Sequence, residues 1–191
     1  MSDFTIVRAS DLHPTPWRNG RGVTRDVVTH LGSDGALAWQ ISIADLTQDA
    51  DFSHFPFCER AFTLVEGDPV ELDFEGRASM RCAGLVPARF PGDWPTRCRL
   101  TGGPARAFNA ISDRRLCGLD VTVQMLAEGH APALLRPVSA VHCVSGKVAL
   151  PDGATLGPGD TLLGEPIAAV RAEAASATII LVRITDTHVL A

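Results

Sequence analysis

Hydrophobic positions recur along this chain with a period of two. In "GLDVTVQM", Leu119, Val121, Val123 and Met125 fall on one side, and Asp120, Thr122 and Gln124 on the other. In "VELDFE", Val70, Leu72 and Phe74 oppose Glu71, Asp73 and Glu75, and in "AWQISIA", Trp39, Ile41 and Ile43 oppose Gln40 and Ser42. Successive side chains of a strand point to opposite faces, so this alternation predicts strands with one face on a core. Shorter strand-like runs fall near 4–8, 22–30, 60–66, 97–101, 105–112, 141–144, 147–150 and 178–185. Gly and Pro punctuate them in "VEGDP", "FPGD", "TGGP", "PDG" and "GPGD". No segment carries a 3.6-residue stripe with caps, although "DLTQDADFSHF" has room for one helical turn. The pattern predicts an all-β chain, a sandwich or a barrel.

The chain also echoes itself. "FTLVEGDPVELDFEG" followed by "ARFPGDWPTRC" runs strand, glycine turn, strand, Pro-Gly-Asp turn, and "VHCVSGKVALPDG" followed by "ATLGPGDTLLGE" repeats the order. Gly67 matches Gly146, and Pro91-Gly92-Asp93 matches Pro158-Gly159-Asp160. A glycine between strands permits a hairpin turn at positive φ, and a Pro-Gly pair suits the centre of a type II turn. Two copies of one unit predict two related barrels, over residues 1–118 and 119–191, with strands exchanged between the halves.

Composition narrows the function. The formal net charge is -5 and there is a single lysine, Lys147. That balance excludes nucleic acid as the main partner, which would need clustered basic residues. The plentiful arginines are forked donors suited to holding an acid. Five widely spaced cysteines without a C-x-x-C pair predict buried, reduced thiols. The start "MSDFTIVRAS" lacks the basic-then-apolar order of a secretory signal, and the longest aliphatic run, "ATIILV", is far shorter than the roughly 20 residues that cross a bilayer. The expectation is a soluble, cytoplasmic protein without membrane partners. Homodimerisation through a sheet face or edge is compatible with it.

The strand, glycine turn, strand and Pro-Gly-Asp turn are what cupins look like. A closer resemblance lies in "PWRNGRGVTRD" (16–26), "WQISIADLTQDADFSHFPFCERAFTLVEG" (39–67), "FPGD" (90–93) and "GPARAFNAIS" (103–112). These four segments, in this order, resemble the HutD/Ves family. Two positions depart from its pattern: Arg21 replaces the middle glycine of a triplet, and Asp26 replaces the usual Glu. The resemblance implies a bicupin, an all-β chain of two related barrels (a double-stranded β-helix). It implies a place near histidine degradation, where an acidic intermediate, N-formylglutamate being the favoured candidate, is held and the pathway limited or governed. Some members are described only as stress-related.

Enzymatic cupins use a His-x-His pair, a later Glu and a further His to hold a divalent metal. Here His13, His30, His54, His130, His142 and His188 are all more than four residues apart, and "PFCERAFTLVEG" offers Glu59 and Arg60 where the pair would lie. No metal and no cofactor is expected. A cupin isomerase or hydrolase with an unrecognised metal site is the alternative, and a β-sandwich interaction module is a third reading. Ser42, Ser53, His54 and Asp45 could in principle form a nucleophile and base, but nothing in their spacing fixes them together. "WRNGRG" is no phosphate loop, since neither a helix nor Gly-Lys-Ser/Thr follows.

A binding site for a small anionic metabolite is easier to build. It needs an arginine with hydroxyl or amide donors on rigid strands. The candidates are Asn19 in the opening turn, Thr24 in the strand after it, Ser42 on the polar face of the Trp39 strand, His54 on a loop, Arg60 at a strand start and Asn109, a residue type strands disfavour. Each also has a plain structural reading: a turn-capping Asn19, a solvent-facing Ser42, an edge Arg60, a bulge at Asn109. Trp17 and Trp39 read as core, and Arg25 and Asp26 as partners of neighbouring charges.

Overall fold

A computed structural model describes residues 4–17, 21–131, 138–164, 170–173 and 175–186. Its strands are β1 (Thr5–Val7), β2 (Thr15–Pro16), β3 (Gly22–Leu31), β4 (Leu37–Leu46), β5 (Ala50–Asp51), β6 (Cys58–Glu66), β7 (Val70–Phe74), β8 (Met80–Cys82) and β9 (Ala88–Pro91). There follow β10 (Thr96–Leu100), β11 (Ala105–Asp113), β12 (Cys117–Leu126), β13 (Ala140–Ser145), β14 (Val148–Ala149), β15 (Thr155–Leu156), β16 (Thr161–Leu163), β17 (Arg171–Ala172) and β18 (Ala177–Asp186). One 3-10 turn, Ala9–Asp11, is the sole helical element among the described residues. "DLTQDADFSHF" forms no helical turn. Its Ala50–Asp51 pair with Cys98 and Arg97 instead, and tertiary pairing overrides local preference.

The chain divides into two compact units, His13–Leu119 with Thr185–Ala191, and Met1–Leu12 with Asp120–Ile184. The first strand therefore belongs to the later unit, where Thr5–Val7 pair with Leu163–Thr161. In the first unit a six-stranded sheet, β2-β3-β4-β11-β6-β9, shares one core with a four-stranded sheet, β5-β10-β7-β8. Phe62, Leu64 and Ala107 from one meet Val70, Leu72, Phe74 and Cys98 from the other. In the later unit a five-stranded sheet, β1-β16-β13-β18-β12, is matched with a three-stranded sheet, β15-β14-β17. Val141, Cys143, Ile179 and Leu181 pack with Val148, Leu156 and Ala172. All five cysteines are buried and unpaired.

The internal echo is reproduced in geometry. Gly67 has φ +97° and Gly146 φ +77°. A Cβ on Gly67 would lie 2.6 Å from Pro104 O and 2.8 Å from Ala105 Cα, and one on Gly146 would lie 2.5 Å from Ser176 O and 2.8 Å from Ala177 Cα. Each glycine lets a hairpin turn press against the start of the long strand, β11 or β18, that continues the unit. The two Pro-Gly-Asp turns differ. Gly159 has φ +87° and Asp160 N donates to Gly157 O, as a type II turn requires. Gly92 is outside the positive-φ region: Pro91 still pairs with Glu59 in the sheet, so the turn moves one residue on, with Trp94 N donating to Pro91 O. Both aspartates staple backbone, Asp93 accepting from Phe57 N and Asp160 from Ala9 N and Gly157 N.

Two expectations about strand faces change. Met125 is 80% exposed and Leu126 enters the core, so the alternation of β12 slips by one residue at its end. On β4 both faces are buried: Ile41 and Ile43, and also Ser42. Ala44 and Leu46, on the face of Gln40 and Ser42, belong to the unit's core cluster. The polar face therefore looks inward rather than to water.

His142, on β13, is 3% exposed, with Nδ1 2.8 Å from Thr161 Oγ1. Burial pushes its pKa down to about 4, against a raising influence from Asp160. The unfolded chain then binds the proton more readily than the folded one, so stability is lost as pH falls from 6.5 towards about 4. Urea unfolding across that range should show a loss of up to about 3 kcal/mol, and His142→Gln should flatten the slope.

Candidate functional site

The polar positions converge inside the first unit because of the register of three strands. Gln40, Ile111 and Arg60 form one row across β4, β11 and β6; Ser42, Asn109 and Phe62 form the next; Ala44, Ala107 and Leu64 the third. Each row lies two residues from its neighbour, so all share a face. That face is polar at one end and aliphatic at the other. Thr24 joins from β3, where it pairs with Ala44. The polar end encloses a cavity of about 80 Å³ lined by Thr24, Gln40, Ser42, Arg60 and Asn109, with Trp17, Ala44, Phe52, Ser53, Phe55 and Ile111.

Arg60 is the centre of it. The side chain is 7% exposed, yet it meets no carboxylate among the described residues. Nε and Nη2 both donate to Asn109 Oδ1, at 3.1 and 2.8 Å, a diagonal contact between adjacent rows. The guanidinium lies 4.1 Å from the Phe52 ring centre. Burial without a counter-charge pulls its pKa down to about 10, so it stays cationic at neutral pH. Nη1 and the amide hydrogens of Asn109 have no protein acceptor among the described residues. A buried cation beside unclaimed donors is arranged to receive an acceptor-rich anion.

Trp17 and Gly22, on either side of the opening turn, brace this wall. Trp17 Nε1 donates to Thr24 Oγ1 at 2.6 Å, which leaves the hydroxyl hydrogen of Thr24 free to donate. Trp17 meets Phe52 edge-on, with ring centres 6.2 Å apart. A Cβ at Gly22 would lie 3.0 Å from two ring atoms of Trp17 and from Asp45 O, so glycine there allows the indole to sit against the strand. Asn19 lies outside the described residues.

Of the remaining candidates, Thr24, Ser42, Arg60 and Asn109 come together, whereas His54 does not join them. It is exposed, its Nε2 lies 3.1 Å from Asp93 O, and it lines a separate groove. Asp45 is taken by Arg25 and Arg106, so Ser42, His54 and Asp45 do not assemble as a nucleophile and base. Among the described residues no three His, Cys, Asp or Glu side chains gather as metal ligands. Sequence reasoning missed Gln40, Phe52, Phe55 and Ile111, and weighed Ser53 only as part of a nucleophile and base. Gln40 was findable, since it shares the alternating face of Ser42.

Among the described residues the later unit lacks a matching arginine–asparagine pair. Counted from the anchoring glycines and the strands they press on, Arg60 corresponds to Ser139 and Asn109 to Leu181. Leu181 is fully buried in an aliphatic core.

A family model described as HutD matches residues 9–182. An uncharacterised 21.2 kDa protein in the hutC 3' region of Pseudomonas putida is 34% identical over 113 residues, 58% of this chain and 59% of that protein. The match thus spans less than two thirds of the curated relative. A conserved protein of unknown function from Pseudomonas aeruginosa PAO1 superposes with a TM-score of 0.84 at 26% identity, covering 96% of this chain and 99% of that one. HutD from Pseudomonas fluorescens SBW25, in a formate condition, gives 0.78 at 25% identity, with the same coverage. A Cupin 2 conserved barrel domain protein from Leptotrichia buccalis, 11% identical over 95% of this chain and 96% of its own, gives 0.61 and shares the fold. No helix among the described residues is long and apolar enough to cross a membrane.

Proposed function

Since the chain belongs to the HutD family, we propose that its first barrel binds a small carboxylic acid of histidine catabolism at Arg60, and that the protein governs or limits that pathway rather than catalysing a step. The single observation that carries this reading is the buried guanidinium of Arg60, held by Asn109 and Phe52, with no acidic partner among the described residues. A carboxylate would supply the missing charge through Nη1, while Thr24, Ser42 and the Asn109 amide supply neutral hydrogen bonds. The cavity of about 80 Å³ is small beside the roughly 300–1,000 Å³ typical of drug-sized ligands. It receives one end of an N-formylglutamate-like acid, a carboxylate or formamide. The family name and the hutC-adjacent relative support the metabolic setting.

A thermal shift with N-formylglutamate tests it. An acid bound only to the native state raises stability by about 2.7 kcal/mol at a hundredfold excess over Kd. For a chain of this size that is about 5–10 °C in Tm. No shift at millimolar concentrations of this acid or related dicarboxylic acids contradicts the reading.

A further inference from the structure

Beside the Arg60 cavity the first unit carries a second, larger hollow of about 440 Å³, lined by His54, Asp73, Phe74, Thr96 and Arg97 among others. One residue is common to the lining of both spaces: Phe52. Its ring is fixed on several sides. The Arg60 guanidinium stands 4.1 Å from its centre, Phe62 lies 5.7 Å away, and Trp17 abuts it edge-on. Its backbone N–H donates to Thr96 O at 2.9 Å, which ties the segment to β10. Phe52 thus stands between a polar chamber of head-group size and a groove several times larger.

We infer that Phe52 is the specificity-determining residue of this site: with its ring in place Arg60 accepts only the compact end of an acid, and aliphatic or aromatic tails are kept out of the outer groove. This rests on the acid-binding reading above and deepens it, because it assigns the size of ligand that Arg60 takes. The preferred class is short acids whose bulk lies close to the carboxylate, and acids with a ring on a flexible tether are rejected. The ring is the apolar part of that wall, so removing it leaves a hole of matching shape, which a phenyl group on the ligand can fill.

The test compares formate, which is only a head group, with 3-phenylpropanoate, which carries a ring on a two-carbon tether. Calorimetric titration uses the full-length wild type, Phe52→Ala, the milder Phe52→Leu, and Arg60→Met as the reference for loss of the head-group site. Circular dichroism establishes that each variant is folded. In Phe52→Ala the affinity for 3-phenylpropanoate, relative to formate, should rise at least tenfold. Phe52→Leu should rise less. Formate weakens in both variants by what the Arg60 guanidinium loses with the ring beneath it, and the ratio of the two acids removes that common loss. An unchanged ratio in a folded Phe52 variant overturns the assignment while leaving the Arg60 site standing. If Phe52→Ala fails to fold, the ratio in Phe52→Leu decides alone. If neither acid binds the wild type, or both bind Arg60→Met equally well, the acid-binding reading falls and the role of Phe52 with it.

Discussion

Replacing Arg60 by Met and Asn109 by Leu together should abolish acid binding and at the same time make the ligand-free protein more stable. A buried guanidinium without a carboxylate partner is costly: the fall of its pKa from 12.5 to about 10 corresponds to about 3 kcal/mol lost by the charged form, relative to the neutral one, on burial. Met keeps the unbranched stem of the arginine to about the position of Nε, without the charge. Leu at 109 avoids stranding the amide oxygen that now accepts from Nε and Nη2. The later unit already shows an aliphatic residue at the matching place, Leu181, fully buried. The expected gain is about 1–3 kcal/mol, or several degrees in Tm, by analogy with buried polar groups replaced by packed apolar ones. The single variant Arg60→Met should gain less, because Asn109 then loses its donors. Binding of N-formylglutamate should weaken by at least about thirtyfold in both, since truncating one side of a buried charged pair costs about 2–5 kcal/mol. A residue that destabilises the empty protein and is needed by the ligand is the signature of a functional site. Chemical denaturation and calorimetry on the same preparations read both quantities.

The second large effect lies in the hairpins. Gly67→Ala and Gly146→Ala should each destabilise by about 3–5 kcal/mol, near the upper end for single substitutions. Two costs combine. An alanine held at positive φ costs about 1–2 kcal/mol. The added Cβ would also lie within 2.9 Å of the Ala105 backbone and side chain, or within 3.0 Å of those of Ala177, and backbone cannot give way as a flexible side chain can. Gly35→Ala and Gly129→Ala are the controls. These glycines have φ +78° and +70°, and a Cβ on either would meet nothing within 4 Å, so only the first cost applies, about 1 kcal/mol. If all four variants lose the same stability, the close approach of each hairpin to the next long strand is not what demands glycine.

The long strands were legible because each offers enough residues for a period of two to show. The runs expected at 22–30, 60–66, 105–112 and 178–185 are β3, β6, β11 and β18 within a residue or two at each end. The pieces that escaped notice, such as β2, β5, β8 and β17, have two or three residues and no period to read. Their pairing comes from neighbours already in place. The duplication was visible through Gly67 and Gly146 because one backbone conformation and one close approach recur in both units.

The site was legible by residue type more than by pattern. Asn109 stood out as an asparagine in a strand, and it is the partner of Arg60. The alternation of Gln40 and Ser42 against Trp39, Ile41 and Ile43 marked two faces, but not which one is inside. A strand buried on both faces does not declare its inner side by hydrophobicity alone. His54 alternates with Ser53 and Phe55, which line the Arg60 cavity, and successive residues of an extended segment point in opposite directions, so His54 lines the outer groove. Phe52 went unremarked because an aromatic beside a loop reads as core until the guanidinium above it is seen.

The most direct measurement is a crystal structure grown with saturating N-formylglutamate. The expected result is an acid oxygen about 2.7–2.9 Å from Arg60 Nη1, the spacing of a charge-assisted hydrogen bond, with Asn109 and a hydroxyl of Thr24 or Ser42 completing its contacts. Ligand density in the later unit, or a first barrel whose polar end holds only water at that concentration, would contradict it.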